Sequence, residues 1–442
     1  MTPAAVVRSA AVWHYASLAV GAVALVVLNL GQWFFFDEWS FLILDGPGLF
    51  EPHVGHWSTS PMLVYALLRN VFGLGSYLPW SILLVALHLA AAHLAWRLAL
   101  ASGAAPWIAT SATAVVIVLG VGGANILWAF QIGFIGALVL GMLAVLLSLA
   151  ERMGPARLTL VAAIAVFSLT WSGTALPMVA ATVFVLWRRH GLPKAAIVLG
   201  VTVAVYLAWY LTFALGSPNN PDTGGVSLQK LFVEMPLFLG VMFVFGFPRL
   251  FPLVPLGVVV ALALVVWTVI ALRARAGLRR RLPALALGIA VVLFALSAAF
   301  SRAHFSIGGG ASSRYAYLIV LLVLPLGAVA LSSVVRRWRH GLVVACIALG
   351  ALAGYQAVVL GTVAHDESVV EQSSRGVLSA AVHLYEEQPD AVSLAAQPDA
   401  VNAPDLNLGA LVALHDAGLL PLGDYTDAEL AAARAAVGLQ AP

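Results

Sequence analysis

Three clusters of polar residues interrupt a chain that is 62% hydrophobic. The first is Phe34-Phe35-Phe36-Asp37-Glu38-Trp39, directly after a long apolar run. Adjacent carboxylates beside an apolar span are costly unless they are solvated, paired or put to use. One reading is an aromatic belt followed by solvated acids. The other makes Asp37 a general base at the mouth of a cavity, because an acceptor hydroxyl must lose its proton as it attacks, and a positioned carboxylate can take it. Glu38 would then position the acceptor or a metal. The second cluster is Glu51-Pro52-His53-Val54-Gly55-His56-Trp57. Glu51, His53 and His56 have the types and spacing of metal ligands, and equally those of histidines hydrogen-bonded to carboxylates near an acceptor. The third is Arg302, His304 and the pair Arg314-Tyr315. A planar guanidinium can hold two oxygens of one phosphate; the competing reading is an arginine that snorkels to lipid headgroups. Asn125, Trp128 and Gln131 form a polar stripe that must face the interior of a helix bundle. His88 and His93 read as buried partners of other polar groups.

The elements that would carry these residues follow from composition. Of 442 residues only 9% are charged, against about 25% in soluble domains, and the mean hydropathy is +0.99. So much apolar surface has to face lipid, which also excludes a disordered chain. The single cysteine, Cys346, excludes an intrachain disulfide and a Cys-based zinc site. A formal charge of +3 gives no footing for a nucleic-acid partner. Gly308-Gly309-Gly310 lacks the lysine and following helix of a phosphate-cradling loop, so no internal ATPase is indicated.

A bilayer core of about 30 Å takes about 20 apolar residues per helical crossing. Such segments occupy 10–30, 77–97, 104–120, 126–149, 195–214, 252–272, 283–300, 315–334 and 341–361. The first is followed by Trp and Phe rather than a cleavage site and reads as a retained span. The stretch 158–187 has basic residues at both ends, which predicts a short hairpin breaking near Trp171-Ser172-Gly173, with the break facing a cavity. That gives 11 crossings, and 15 of the 22 basic residues, Arg275 among them, then fall on one side. The positive-inside rule makes that side the cytoplasm, with the N-terminus inside and the C-terminus outside. The apolar segments 61–73 and 231–247 are expected to lie at the outer interface, the second following the loop 215–230. From Asp366 onward the composition changes, and 12 of the 19 acidic residues lie there. We therefore divide the chain into a membrane domain, 1–365, and a small helical outer appendage, 366–442, with helices expected near 368–386, 406–417 and 427–438.

An acidic motif just after the first span, a long first outer loop with surface helices, and an Arg-Tyr pair opening a late span resemble the GT-C membrane glycosyltransferases. That superfamily includes the protein O-mannosyltransferases and the aminoarabinose transferases. The similarity is greatest to its bacterial members, through Phe36-Asp37-Glu38-Trp39, His56-Trp57 leading to Pro61, and Trp128 to Gln131. It covers about 1–335. Relatives often carry an acid directly before the histidine, where this chain has Gly55; Glu51 is the nearest substitute. The resemblance implies an all-α polytopic bundle that transfers a sugar from a polyprenyl-phosphate donor to a glycan, lipid or protein acceptor of the cell envelope, on the outer face of the membrane. Asp37 would be the base, with Glu38 beside it. Arg314, Tyr315 and Arg302 would hold the donor phosphate, and a divalent cation is a candidate cofactor. With 20 Arg against 2 Lys and abundant Ala, the composition suggests a GC-rich bacterial genome, hence a bacterial plasma membrane. Two other classes remain open on sequence. One is a transporter or lipid flippase, suggested by breaks near Gly173 and Gly122-Gly123 but lacking an internal repeat. The other is a noncatalytic envelope scaffold, which the missing acid at Gly55 leaves room for.

Overall fold

The structure is a computed structural model that describes residues 3–220, 225–274 and 277–439. Arg275 and the 221–224 part of the loop 215–230 lie outside the described residues. The helices are α1 (Pro3–Leu28), α2 (Glu38–Leu42), α3 (Thr59–Phe72), α4 (Leu78–Ala101), α5 (Pro106–Ile117), α6 (Ala124–Leu127), α7 (Ile132–Leu147), α8 (Pro155–Leu169), α9 (Ala175–His190), α10 (Leu192–Trp209), α11 (Met235–Val241), α12 (Val254–Arg273), α13 (Leu278–Arg302), α14 (Ser313–Val335), α15 (Gly341–Glu387), α16 (Leu408–Asp416) and α17 (Asp427–Ala436). Strands β1 (Pro52–His53) and β2 (His56–Trp57) form one small antiparallel hairpin. Proline stands in the first turn of α4, α5, α8, α10 and α12. There its missing N–H costs nothing and its fixed φ starts the helix.

Among the described residues, nine helical stretches are long and apolar enough to cross a membrane. One of them, Lys230–Leu250, packs against α13, α14 and α15. Lys230 lies over the Phe300 ring at the end of α13, Phe238 packs on Tyr315 at the start of α14, and the Leu250 carbonyl accepts from Gln356. By length and composition the segment could cross a membrane, whereas 231–247 was expected at the interface. Gly310 explains the glycine triplet here. A Cβ on it would stand 2.6 Å from the Phe238 carbonyl, so glycine lets the two backbones touch. Two shorter apolar helices, α5 and α8, accompany the nine among the described residues. The chain is an all-α polytopic membrane protein.

Helices α8 and α9 form the expected hairpin, broken between Leu169 and Ala175. Helix α15 is 47 residues long, about 70 Å at 1.5 Å per residue, or twice a bilayer core. It crosses and then projects beyond the bundle, and the division at 365/366 falls inside it. On its projecting half sit α16 and α17. The start of α17 is held by a reciprocal bond pair between Thr426 and Glu429, and Gly376 of α15 allows Glu429 to pack against it. The appendage folds back onto the segment after α1. Glu371 accepts from the Trp33 N–H at 2.6 Å, Phe36 N–H donates to the Asn402 carbonyl at 2.7 Å, and Leu74 N–H donates to the Leu419 carbonyl.

Candidate active site

A cleft of about 430 Å3, counting space open to solvent, lies where the loop after α1, the β1–β2 hairpin, the α8–α9 turn and the ends of α13 and α14 meet. Asp37, His53, His56, Ser172, Arg302 and Arg314 line it, with Phe130, Phe134 and Trp171 as apolar walls. Residues as distant in sequence as Asp37 and Arg314 share it because α14 begins at Ser313, at the end of the bundle where α1 finishes.

Asp37 is delivered by a tight turn. Phe36 has φ 51°, a left-handed conformation uncommon for an aromatic residue. Three hydrogen bonds secure the segment: Trp33 N–H to Glu371, Phe35 N–H to Glu38 and Phe36 N–H to Asn402. Burial pushes the Asp37 carboxyl up to about 6, with Arg314 pulling it down, Asp405 pushing it up and Arg302 pulling it down. It is therefore mostly ionised at neutral pH yet close enough to its midpoint to exchange a proton.

Glu38 takes a different course from the one expected of it. The turn sends it inward, beneath the cleft, where it is fully buried. Its carboxyl accepts from the Tyr65 hydroxyl, from the Tyr77 hydroxyl at 2.8 Å and from Phe35 N–H at 2.9 Å. Burial raises it to about 8, opposed by those three donors. Tyr77 in turn accepts from Ala129 N–H at 2.7 Å, so Glu38 ties the turn to the segment leading into α7. Glu38→Ala would leave the Tyr65 and Tyr77 O–H groups and the Phe35 N–H without their acceptor. It should lower stability by about 3 kcal/mol or more, read by thermal unfolding in detergent, with Glu38→Gln losing less.

The β1–β2 turn is Val54-Gly55, with φ 49° and 81°. Positive φ at both positions is the two-residue turn that matches strand twist and favours glycine at its second position; this is a conformational reason for Gly55. The pairing sets His53 opposite His56, and both line the cleft. Burial lowers His53 to about 4 and His56 to about 3, so both are neutral. Gly173 makes room for His56, since a Cβ there would lie 2.8 Å from Nδ1. Glu51 is elsewhere: it accepts from Gly48 N–H and from Asn219, and does not line the cleft. Among the described residues no three His, Cys, Asp or Glu side chains converge as metal ligands. The expected set Glu51, His53 and His56 is thus not brought together at one point.

Arg314 lies over the Trp128 ring, 5.7 Å from its centre, within cation–π range. Trp128 Nε1–H donates to the Phe35 carbonyl at 3.2 Å, so one indole supports both the arginine and the Asp37 turn. Arg302 gives one N–H to the Val54 carbonyl at 3.0 Å. Tyr315 packs between Phe238 and Phe294 and, like His304 beside Phe305, is not a lining residue. Asn125 donates to Gln131 in the bundle interior. His88 bonds the Tyr317 hydroxyl, and His93 bonds His14.

Sequence reasoning missed Phe130, Phe134 and Asp405, which carried no signal, whereas Trp171 and Ser172 line the cleft as the predicted helix break facing a cavity implies.

No known family profile and no curated protein sequence matches the chain. Among solved structures it is similar to ArnT from Cupriavidus metallidurans, crystallised bound to undecaprenyl phosphate. The TM-score is 0.51 at 14% identity, covering 96% of this chain and 88% of that one. The chain shares the fold of that structure. Within that fold, the carboxylate, the two guanidinium groups and the two neutral imidazoles described above occupy a single cleft at one end of the membrane bundle.

Proposed function

We propose that the protein is a glycosyltransferase that moves a sugar from a polyprenyl-phosphate donor to an acceptor hydroxyl of the cell envelope, on the outer face of a bacterial plasma membrane. The observation that carries this reading is the meeting of one ionised carboxylate, Asp37, with two guanidinium groups, Arg302 and Arg314, in one cleft of a GT-C bundle. A structural neighbour crystallised with undecaprenyl phosphate supports the donor class.

The chemistry is a direct displacement at the anomeric carbon. The acceptor oxygen forms the new bond as Asp37 takes its proton. The bond from the anomeric carbon to the phosphate oxygen breaks, and its electron pair leaves with the phosphate. Arg314 and Arg302, fixed before reaction, stabilise that developing charge, and no proton need be given to the leaving group. Attack opposite the leaving group inverts the anomeric configuration. His53 and His56, both neutral, contact the acceptor. Glu38 and Tyr315 position Asp37 and Arg302 from behind.

Two measurements test this reading. A strain lacking the protein should accumulate a polyprenyl-phosphate sugar in its lipid extract; an unchanged lipid profile would count against the donor class. The rate should also fall as pH drops through about 6, because protonated Asp37 cannot accept a proton. A pH–rate profile flat across that range would remove Asp37 from the base role.

A further inference from the structure

The appendage reaches the turn that carries Asp37, through contacts the proposed reaction does not use. Ser40 Oγ–H, three residues beyond Asp37 and buried in α2, donates to Asp405 Oδ2 at 2.5 Å. The same loop supplies the Asn402 carbonyl that holds Phe36 N–H, and Asn402 is itself bound by Asp399 through its N–H and its side-chain amide. Asp405 is thus secured from both sides: its chain by a short hydrogen-bonded turn, its carboxyl by a buried hydroxyl. We propose that Asp405 is a positioning residue of the active site, a second carboxylate brought by the C-terminal appendage to set the charge of Asp37.

Electrostatics supports the geometry. Asp37 is faced by Arg314 from α14, Arg302 from α13, Glu38 from its own turn and Asp405 from the appendage. Burial raises the Asp37 carboxyl most, and the two arginines pull it back down. Asp405 opposes them and adds to the effect of burial, favouring a proton affinity near neutrality, where a general base works best. It also favours a proton on His53, the nearer histidine of the hairpin. The appendage would therefore control the cleft, since displacing its loop would release Phe36 and withdraw a negative charge together.

The proposal rests on Asp37 being the base, and its test separates the two ideas. Asp405→Asn removes the charge while its amide oxygen can still accept from Ser40. Ser40→Ala removes the hydrogen bond and keeps the charge. In the purified full-length protein, the carboxyl stretch of protonated Asp37, identified as the infrared band lost in Asp37→Asn, can be titrated without any turnover. Its midpoint should move to lower pH in Asp405→Asn and move less in Ser40→Ala. Where transfer is measured, the fraction of its plateau rate that Asp405→Asn keeps at one pH unit below the wild-type midpoint should be about twofold or more that kept by the wild type. An Asp37 midpoint unchanged in Asp405→Asn would overturn the proposal. A shifted midpoint in a protein that transfers no sugar would uphold it and defeat the glycosyltransferase reading instead.

Discussion

Asp37→Asn should lower sugar transfer by about 100-fold or more, with normal amounts of folded protein in the membrane. Asparagine has the shape of aspartate but cannot take the acceptor proton at neutral pH. The fold should tolerate it, because the turn is secured by backbone bonds to Glu371, Glu38 and Asn402 rather than by the Asp37 side chain. Donor binding should be kept, since Arg302 and Arg314 lose only a neighbouring negative charge. The loss should appear in kcat, because base catalysis acts in the transition state and not on the bound ground state. Turnover close to wild type would place the base elsewhere, with Glu38 and Asp405, the two other carboxylates that interact with Asp37, the next to test.

The second large effect is at Arg314. Arg314→Ala should cost about 100-fold in transfer, the scale for removing one preorganised charge stabiliser, and should weaken donor binding. Arg314→Lys is the more discriminating variant. Lysine keeps the charge but loses the two-pronged contact, and it replaces a planar group stacked on Trp128 by a compact ammonium. About tenfold impairment is expected. If Arg314 only anchored α14 among headgroups, lysine would serve equally, since both side chains snorkel. Donor titration of the purified variants decides it: equal affinity and rate for Arg314→Lys would shift the phosphate role to Arg302.

The membrane architecture was legible because charge and hydropathy report directly on it. The apolar helices and the α8–α9 hairpin follow from hydropathy and from where basic residues can lie, whereas 231–247, expected at the interface, is by length and composition a candidate span. Asp37, Arg302 and Arg314 were legible because charged residues beside apolar spans are few and need a reason. Glu38 shows where this stops. It adjoins Asp37 in sequence, yet the left-handed turn at Phe36 sends the two side chains to different surroundings, and the Tyr65 and Tyr77 hydroxyls that receive Glu38 have no sequence signature. Glu51 was grouped with His53 and His56 by spacing, but the tight Val54-Gly55 turn pairs the two histidines and leaves Glu51 beyond the hairpin, bonded to Asn219. Asp405 was invisible for a topological reason. It lies 365 residues from Ser40, in a loop whose composition reads as an ordinary solvated tail, and only the length of α15 carries that loop back to the turn that bears Asp37.

Lipid-linked sugar extracted from the deletion strain is the natural substrate for the most direct test. Offered with native envelope acceptor to purified protein in liposomes, it should be consumed by the wild type with release of polyprenyl phosphate and formation of an inverted glycoside. Under the same conditions Asp37→Asn should leave it almost intact. Donor untouched by the wild-type protein, or consumed equally by Asp37→Asn, would contradict a base-assisted glycosyl transfer in this cleft.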